Sequence, residues 1–234
     1  MSYWDNGTPK KIMDGVVAWE NCLEVPDGIV DSMNVEVDMW KKNMNEQKAK
    51  KSNLLQGLYG NGPIRFNPEE NFNNPNNINY FGHVQKNTLN KIGQYLEMYP
   101  DANEEINWVE KWQYITYTPP KNMGYHSDNH SPRNPVTGKP SLGPHLRVLT
   151  ALTYLNDDFK GGALKYRYFD IPPYKAPAGT VLIQPSNYMW SHGTTPLLNG
   201  RKAAFLVAFC SYYNEEDEVV FGATQEQIKE RELR

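Results

Sequence analysis

His126 and Asp128 stand two residues apart, and a second histidine, His192, follows much later in the chain. Two imidazoles and one carboxylate form a facial ligand set for a divalent metal that leaves coordination positions open. If residues 125–129 are extended, the two side chains leave the same face, so one strand offers two ligands to one ion. Taken alone, H-x-D is more often a surface pair than a metal site. His192 is the third ligand the pair requires.

Arg201 follows His192 by nine residues. In the run from Arg201 to Phe209, alternation puts Arg201, Ala203, Phe205, Val207 and Phe209 on one face and Lys202 on the other. A guanidinium at the head of an apolar face needs an anion, and a carboxylate held by two parallel N–H bonds suits it. The alternatives are that Arg201 reaches water at the strand end or pairs with a local Asp or Glu. Tyr154 shares a strand face with Thr150 and Leu152. Its phenol is a second candidate carboxylate partner, or an ordinary core tyrosine.

These residues need elements to hold them. At 234 residues the chain can bury one sizeable core without disulfides. With 6 Trp, 15 Tyr and 8 Phe it is not a disordered chain. A net charge of −3 gives no electrostatic reason to expect nucleic acid as a partner. No signal peptide and no membrane-length apolar run is seen. Cys22 and Cys210 are far apart and read as reduced thiols in a cytoplasmic protein.

The pattern predicts a helix from Pro26 to Gln47, with Ile29, Val30, Met33, Val37 and Trp40 on one face. A second runs from Thr88 to Tyr99 and stops before Pro100. The Asn- and Pro-rich stretch from Gly57 to Gly82 reads as a long irregular loop. From Trp108 the pattern changes to strands: Trp112–Thr118, Arg147–Leu155, Ala163–Phe169, Thr180–Gln184 and Lys202–Tyr213. The expectation is a single α+β domain, 1–234. A helical part, about 1–107, precedes a core, about 108–213, that is a β-sandwich or jelly-roll barrel, and a tail from 214 ends in a short helix at Gln225–Arg234. The loop from Asn129 to His145 and the stretch 57–82 are candidate lids. His83 and His130 read as residues without a chemical role, and His145 as exposed or a minor substrate contact.

Taken together, the chain from about Trp112 to Tyr213 resembles the 2-oxoglutarate and iron(II)-dependent oxygenases, in their prolyl 4-hydroxylase-like branch. The resemblance lies in Tyr117 nine before His126, the His126/Asp128 pair, the stretch from Arg147 to Asn156, Gly161-Gly162, the turn and strand from Ala178 to Ile183, and the spacing from His192 to Arg201. It implies a double-stranded β-helix with the helices on one sheet. It further implies a metal site of His126, Asp128 and His192, and cosubstrate binding by Arg201, Tyr154 and Tyr117. Arg147 and Trp190 become substrate contacts. Iron(II), 2-oxoglutarate and O2 are the implied cofactors, with ascorbate a further candidate, and the implied activity is hydroxylation of an unactivated C–H bond, most readily a prolyl residue in a peptide or protein. Ala163-Leu164 and Val207 depart from the family pattern, which leaves the target open. A jelly-roll binding or structural module and a cupin-like metal enzyme without 2-oxoglutarate are the competing readings.

Overall fold

The computed structural model describes residues 7–48, 64–130 and 146–211. The loop 131–145, residues 57–63 and the tail lie outside them, so the expected lids are described only in part and the tail helix not at all.

Among the described residues, twelve strands and four α-helices follow the chain. The strands are β1 Pro9–Met13, β2 Val16–Trp19, β3 Ile64–Phe66, β4 Trp108–Val109, β5 Gln113–Tyr117, β6 Arg147–Tyr154, β7 Lys160–Gly161, β8 Leu164–Tyr166, β9 Thr180–Pro185, β10 His192–Thr194, β11 Leu197–Asn199 and β12 Lys202–Cys210. The helices are α1 Ile29–Lys48, α2 Pro68–Asn71, α3 Pro75–Met98 and α4 Pro100–Glu105. Eight strands form one antiparallel sheet in the order β1-β2-β9-β6-β12-β5-β3, with β4 also on β12. Two small sheets, β10-β8 and β11-β7, complete the strands. The fold is therefore mixed, with antiparallel sheet and helices, as expected from the sequence.

Both faces of the large sheet are buried. On β12 every residue from Lys202 to Cys210 is buried, the pattern of a central strand covered on both sides. The outer face carries Phe205, Val207 and Phe209, which pack with Tyr114, Leu149 and Ile183 against Met33 and Val37 of α1 and Phe81, Val84 and Tyr95 of α3. The inner face carries Ala204, Leu206, Leu152, Tyr154 and Leu182, which pack with Leu164, Tyr166 and Leu197 of the small sheets.

Two expectations are corrected. The amino-terminal part is not only helical: β1, β2 and β3 are strands of the large sheet. From residue 64 the supposed loop is ordered secondary structure, because Asn67 and Asn74 are helix N-caps followed by Pro at the first helical position. Proline belongs there, since it lacks only an N–H that the helix would leave unpaired anyway. The start of α3 is further clamped from α1 by Glu36, whose carboxylate accepts from the Asn73 and Asn74 amides at 2.9 and 2.7 Å and from Asn77 Nδ2 at 2.9 Å.

Candidate metal centre

Backbone pairing brings the expected ligands together. The segment before Asp128 runs antiparallel to β10. His126 and His192 exchange both backbone hydrogen bonds, at 2.9 and 2.8 Å, and the Thr194 amide donates to the Met123 carbonyl at 2.9 Å. On its other edge β10 pairs with β8, setting His192 opposite Tyr166. Asp128 is fixed through its backbone, where its carbonyl accepts from Arg147 Nη1 at 3.0 Å.

Each imidazole is oriented by a backbone carbonyl. His126 Nδ1 lies 2.9 Å from Gly124 O, and His192 Nδ1 lies 3.0 Å from Trp190 O. A carbonyl accepts only, so Nδ1 carries the hydrogen and each Nε2 offers its lone pair. His126 Nε2 is 3.4 Å from Asp128 Oδ1, and His192 Nε2 is 3.8 Å from Oδ2. The ligand atoms of the three residues lie within 4.8 Å of one another. A first-row ion about 2.1 Å from each donor requires donor separations of about 3 Å, so the donors must draw together by up to about 2 Å to hold one.

The charges agree. Burial alone would raise the Asp128 carboxyl, but the nearby His192 and His126, helped by Arg147, outweigh it and hold the group well below the usual carboxylate range. Burial pushes His192 down, towards the neutral imidazole a metal requires. At His126 the Asp128 carboxylate and the Gly124 carbonyl overcome burial and raise it.

The expected carboxylate clamp is corrected. Arg201 does meet an anion, but that anion is Asp38 of α1. Nη1 and Nη2 reach its two oxygens at 2.7 and 3.1 Å, and Nε donates to Thr116 Oγ1 at 2.9 Å. Arg201 is thus on the helix-covered face, away from the triad. Its neighbour Lys202 takes the inner face. Lys202 is buried, donates to Gly162 O at 2.6 Å, and lies over the rings of Tyr154, Phe159 and Tyr117 at 5.1, 5.7 and 5.8 Å. Among the described residues no carboxylate pairs with it. Burial pushes its ammonium down to about 8. Tyr117, opposite Lys202 across β5 and β12, is brought to the same place, as is Tyr154. Burial raises both phenols, Tyr117 to about 12.

Arg147 and Trp190 are otherwise engaged. Arg147 donates from Nε and Nη2 to both oxygens of the buried Glu110, at 2.6 and 2.7 Å, while Nη1 holds the Asp128 carbonyl. A register shift in the β6–β12 pairing sets Arg147 opposite Cys210, which turns it to the inner face against simple alternation. The Trp190 indole donates to Asp14 O at 2.9 Å in the β1–β2 turn. Both residues brace the site's frame. His130 and His83 are exposed and outside the triad.

Sequence reasoning also missed Gln184 and Tyr166. Gln184 Nε2 lies 3.1 Å from Asp128 Oδ2, and Gln184 Oε1 accepts from Tyr166 at 2.7 Å. A glutamine at an inner position of an otherwise apolar strand was the available signal.

No family model matches the sequence, and no curated protein matches it. Solved structures superpose on it only in part and at low identity. The viral collagen prolyl hydroxylase vCPH from Paramecium Bursaria Chlorella virus-1, in its 2OG complex, superposes with a TM-score of 0.48 at 14% identity, covering 85% of this chain and 97% of that one. A prolyl-4-hydroxylase of Pseudomonas putida gives 0.47 at 14% identity, over 85% and 94% of the two chains. An oxidoreductase of the 2OG-Fe(II) oxygenase family from Burkholderia pseudomallei gives 0.36 at 14% identity, over 46% and 45%. The functional reading below rests on this chain's own residues.

Proposed function

We propose that the protein is an iron(II)- and 2-oxoglutarate-dependent dioxygenase that hydroxylates an unactivated C–H bond, with a prolyl residue in a peptide or protein as its target. The observation that carries this reading is the placement of two ligand systems on one inner face. One is an anionic carboxylate beside two imidazoles, each held at Nδ1 by a backbone carbonyl. The other is a buried ammonium flanked by two phenols.

The donor set fits a first-row divalent ion: His126, Asp128 and His192 would hold it, and neutral imidazole with carboxylate suits iron(II). Bound iron supplies the O2 chemistry that amino-acid side chains do not provide. The chain's own residues bind and orient. Lys202 pairs with the far carboxylate of 2-oxoglutarate, and Tyr117 and Tyr154 turn their hydroxyls to it. Tyr154, Phe159 and Leu164 exclude water around that pair, which strengthens it. Glu110 and Arg147 fix the backbone that carries Asp128. An enzyme using the same triad without 2-oxoglutarate, or a module that only binds, has no use for a buried cation without a protein anion.

The same reading completes the architecture. The small sheets lie against the inner face of the large one, and we infer that they close a double-stranded β-helix around the site. Cys22 and Cys210 are both buried in the core.

The test is spectroscopic and then chemical. Addition of 2-oxoglutarate to the iron(II)-loaded protein without O2 is expected to give a weak visible charge-transfer band. With O2 and proline-containing peptides, succinate and a peptide carrying one added oxygen atom should form together. Absence of both the band and succinate overturns the dioxygenase reading. Succinate formation without modification of any prolyl peptide removes the prolyl target and leaves the dioxygenase.

A further inference from the structure

Gln184 lies on β9, fully buried, with its side chain on the inner face. Its neighbours at that level are Thr150 on β6 and, beyond it, Ala208 on β12. Nothing in the packing of this face calls for an amide, and a buried amide is costly unless its hydrogen bonds are made. Both of its polar atoms are committed. Nε2 is 3.1 Å from Asp128 Oδ2, and 3.1 and 3.2 Å from the two ring nitrogens of His192. Oε1 is 2.7 Å from the Tyr166 hydroxyl. The assignment of nitrogen and oxygen follows from chemistry, because an ionised carboxylate only accepts, and the phenol has a hydrogen to give. Tyr166 is itself tied to the site: it stands opposite His192 in the β8–β10 pairing, with ring centres 6.1 Å apart.

We infer that Gln184, aimed by Tyr166, is a positioning residue of the metal centre. It holds Asp128 by Oδ2 and lies against the His192 ring, so that Oδ1, on the His126 side, is the one carboxylate oxygen offered to the ion. A carboxylate free to turn presents both oxygens and consumes a coordination position. The amide therefore keeps open a position that the proposed chemistry needs, and it holds the ligands close before the ion arrives. This inference rests on the reading of the triad as a metal site.

Three variants test it: Gln184→Met, Tyr166→Phe and the two together. The readouts are the dissociation constant for Co(II), by calorimetry without O2, and the unfolding temperature of the metal-free protein. Met keeps the length of Gln and removes both polar atoms. Gln184→Met is expected to weaken Co(II) binding by about 10- to 100-fold, the usual cost of losing a partner of a metal ligand. It should also lower the unfolding temperature, since the buried Tyr166 hydroxyl loses its acceptor. The double variant leaves no such orphan, so it should recover the unfolding temperature and not the Co(II) affinity. Tyr166→Phe alone should weaken binding several-fold, and should add nothing to Gln184→Met if it acts through the amide.

Parent-like Co(II) affinity in Gln184→Met, or recovery of affinity as well as stability in the double variant, overturns the inference. If Gln184→Met does not fold, the double variant carries the affinity comparison by itself. Failure of the parent protein to bind Co(II) overturns instead the reading of the triad on which the inference rests.

Discussion

Arg201 and Lys202 are adjacent, yet one braces a helix and the other faces the site. Asp38 already neutralises Arg201 in a partly exposed pair, the kind that contributes about 0.5–1 kcal/mol. Among the described residues Lys202 has lost water and gained only a carbonyl and aromatic faces, so an incoming carboxylate would restore its solvation. Lys202→Met should therefore cost about 2–5 kcal/mol of 2-oxoglutarate affinity, as truncating one side of a buried charge pair does. Arg201→Met should leave that affinity unchanged and lower stability by about 1 kcal/mol or less. Anaerobic titration of the Mn(II)-loaded variants decides it, and the opposite ranking would return the clamp to Arg201. The sequence contained the parity of this strand, with Arg201 and Lys202 on opposite faces. It did not contain which face was inner. Phe205, Val207 and Phe209 resemble the lining of a core, and they are one, but that core lies beneath the helices. The site side of the strand carries Lys202, Ala204, Leu206 and Ala208 instead. The triad was legible because the chain has only 5 histidines and two of the three ligands, His126 and Asp128, are local. Gln184 was not, because an amide carries no periodic signal and its partners lie on other strands.

At the level of elements, the site is a problem of strand pairing. His126 and His192 meet because residues 123–126 lie along β10, and Gly193 lets that segment come close. A Cβ at Gly193 would sit 2.8 Å from Met123 O and 3.1 Å from the Gly124 carbonyl group, both backbone. These atoms cannot move aside without shifting the strand that carries His126. Gly193→Ala should accordingly separate the two imidazoles and weaken Co(II) binding by about tenfold or more, the scale of losing ligand orientation. Binding measured by calorimetry at parent-like affinity would show that the segment is held by something other than this close approach. Pairing of this kind also explains what the sequence concealed. Strand β3 is three residues long and gains its partner, β5, from about fifty residues later. The shift that turns Arg147 inward exists only once β6 has met β12. Helix α3 hid the part before Thr88 because its buried face there includes Asn77 and Asn87. Asn87 and Thr88 look like solvent positions until Asn87 Nδ2 reaches Cys22 O at 2.8 Å and Thr88 reaches Thr153 at 2.7 Å.

For the molecule as a whole, the cost of building the inner face appears in its stability. Lys202 is buried to 6% exposure with its ammonium lowered to about 8 from an ordinary 10.5. Burial is the main cause, and the charge of Lys175, whose ammonium lies over the other ring contact Phe159 at 4.8 Å, adds to it. Between these two values the unfolded chain binds the proton more tightly than the folded one does. Folding stability contributed by this group therefore rises with pH across that window and is constant on either side. At about 1.4 kcal/mol per unit, the full change approaches about 3 kcal/mol. Buried tyrosines with raised phenols pull the other way near pH 10, so the rise is read as a difference in denaturant titrations of the metal-free proteins: Lys202→Met should be the more stable at neutral pH, and the parent should close that gap from pH 8 to pH 10.5. A bound carboxylate reverses the preference, because an anion beside Lys202 raises its pKa. Binding of 2-oxoglutarate above pH 8 should thus take up a proton, seen as a calorimetric enthalpy that depends on the buffer, and its affinity should fall as pH rises through that value. Tyr117, held at about 12, stays protonated in the folded protein throughout this range and adds no slope to the affinity. A pH-independent affinity between 7 and 10, with the stability rise still present, would mean that the buried ammonium is real but is not what receives the cosubstrate.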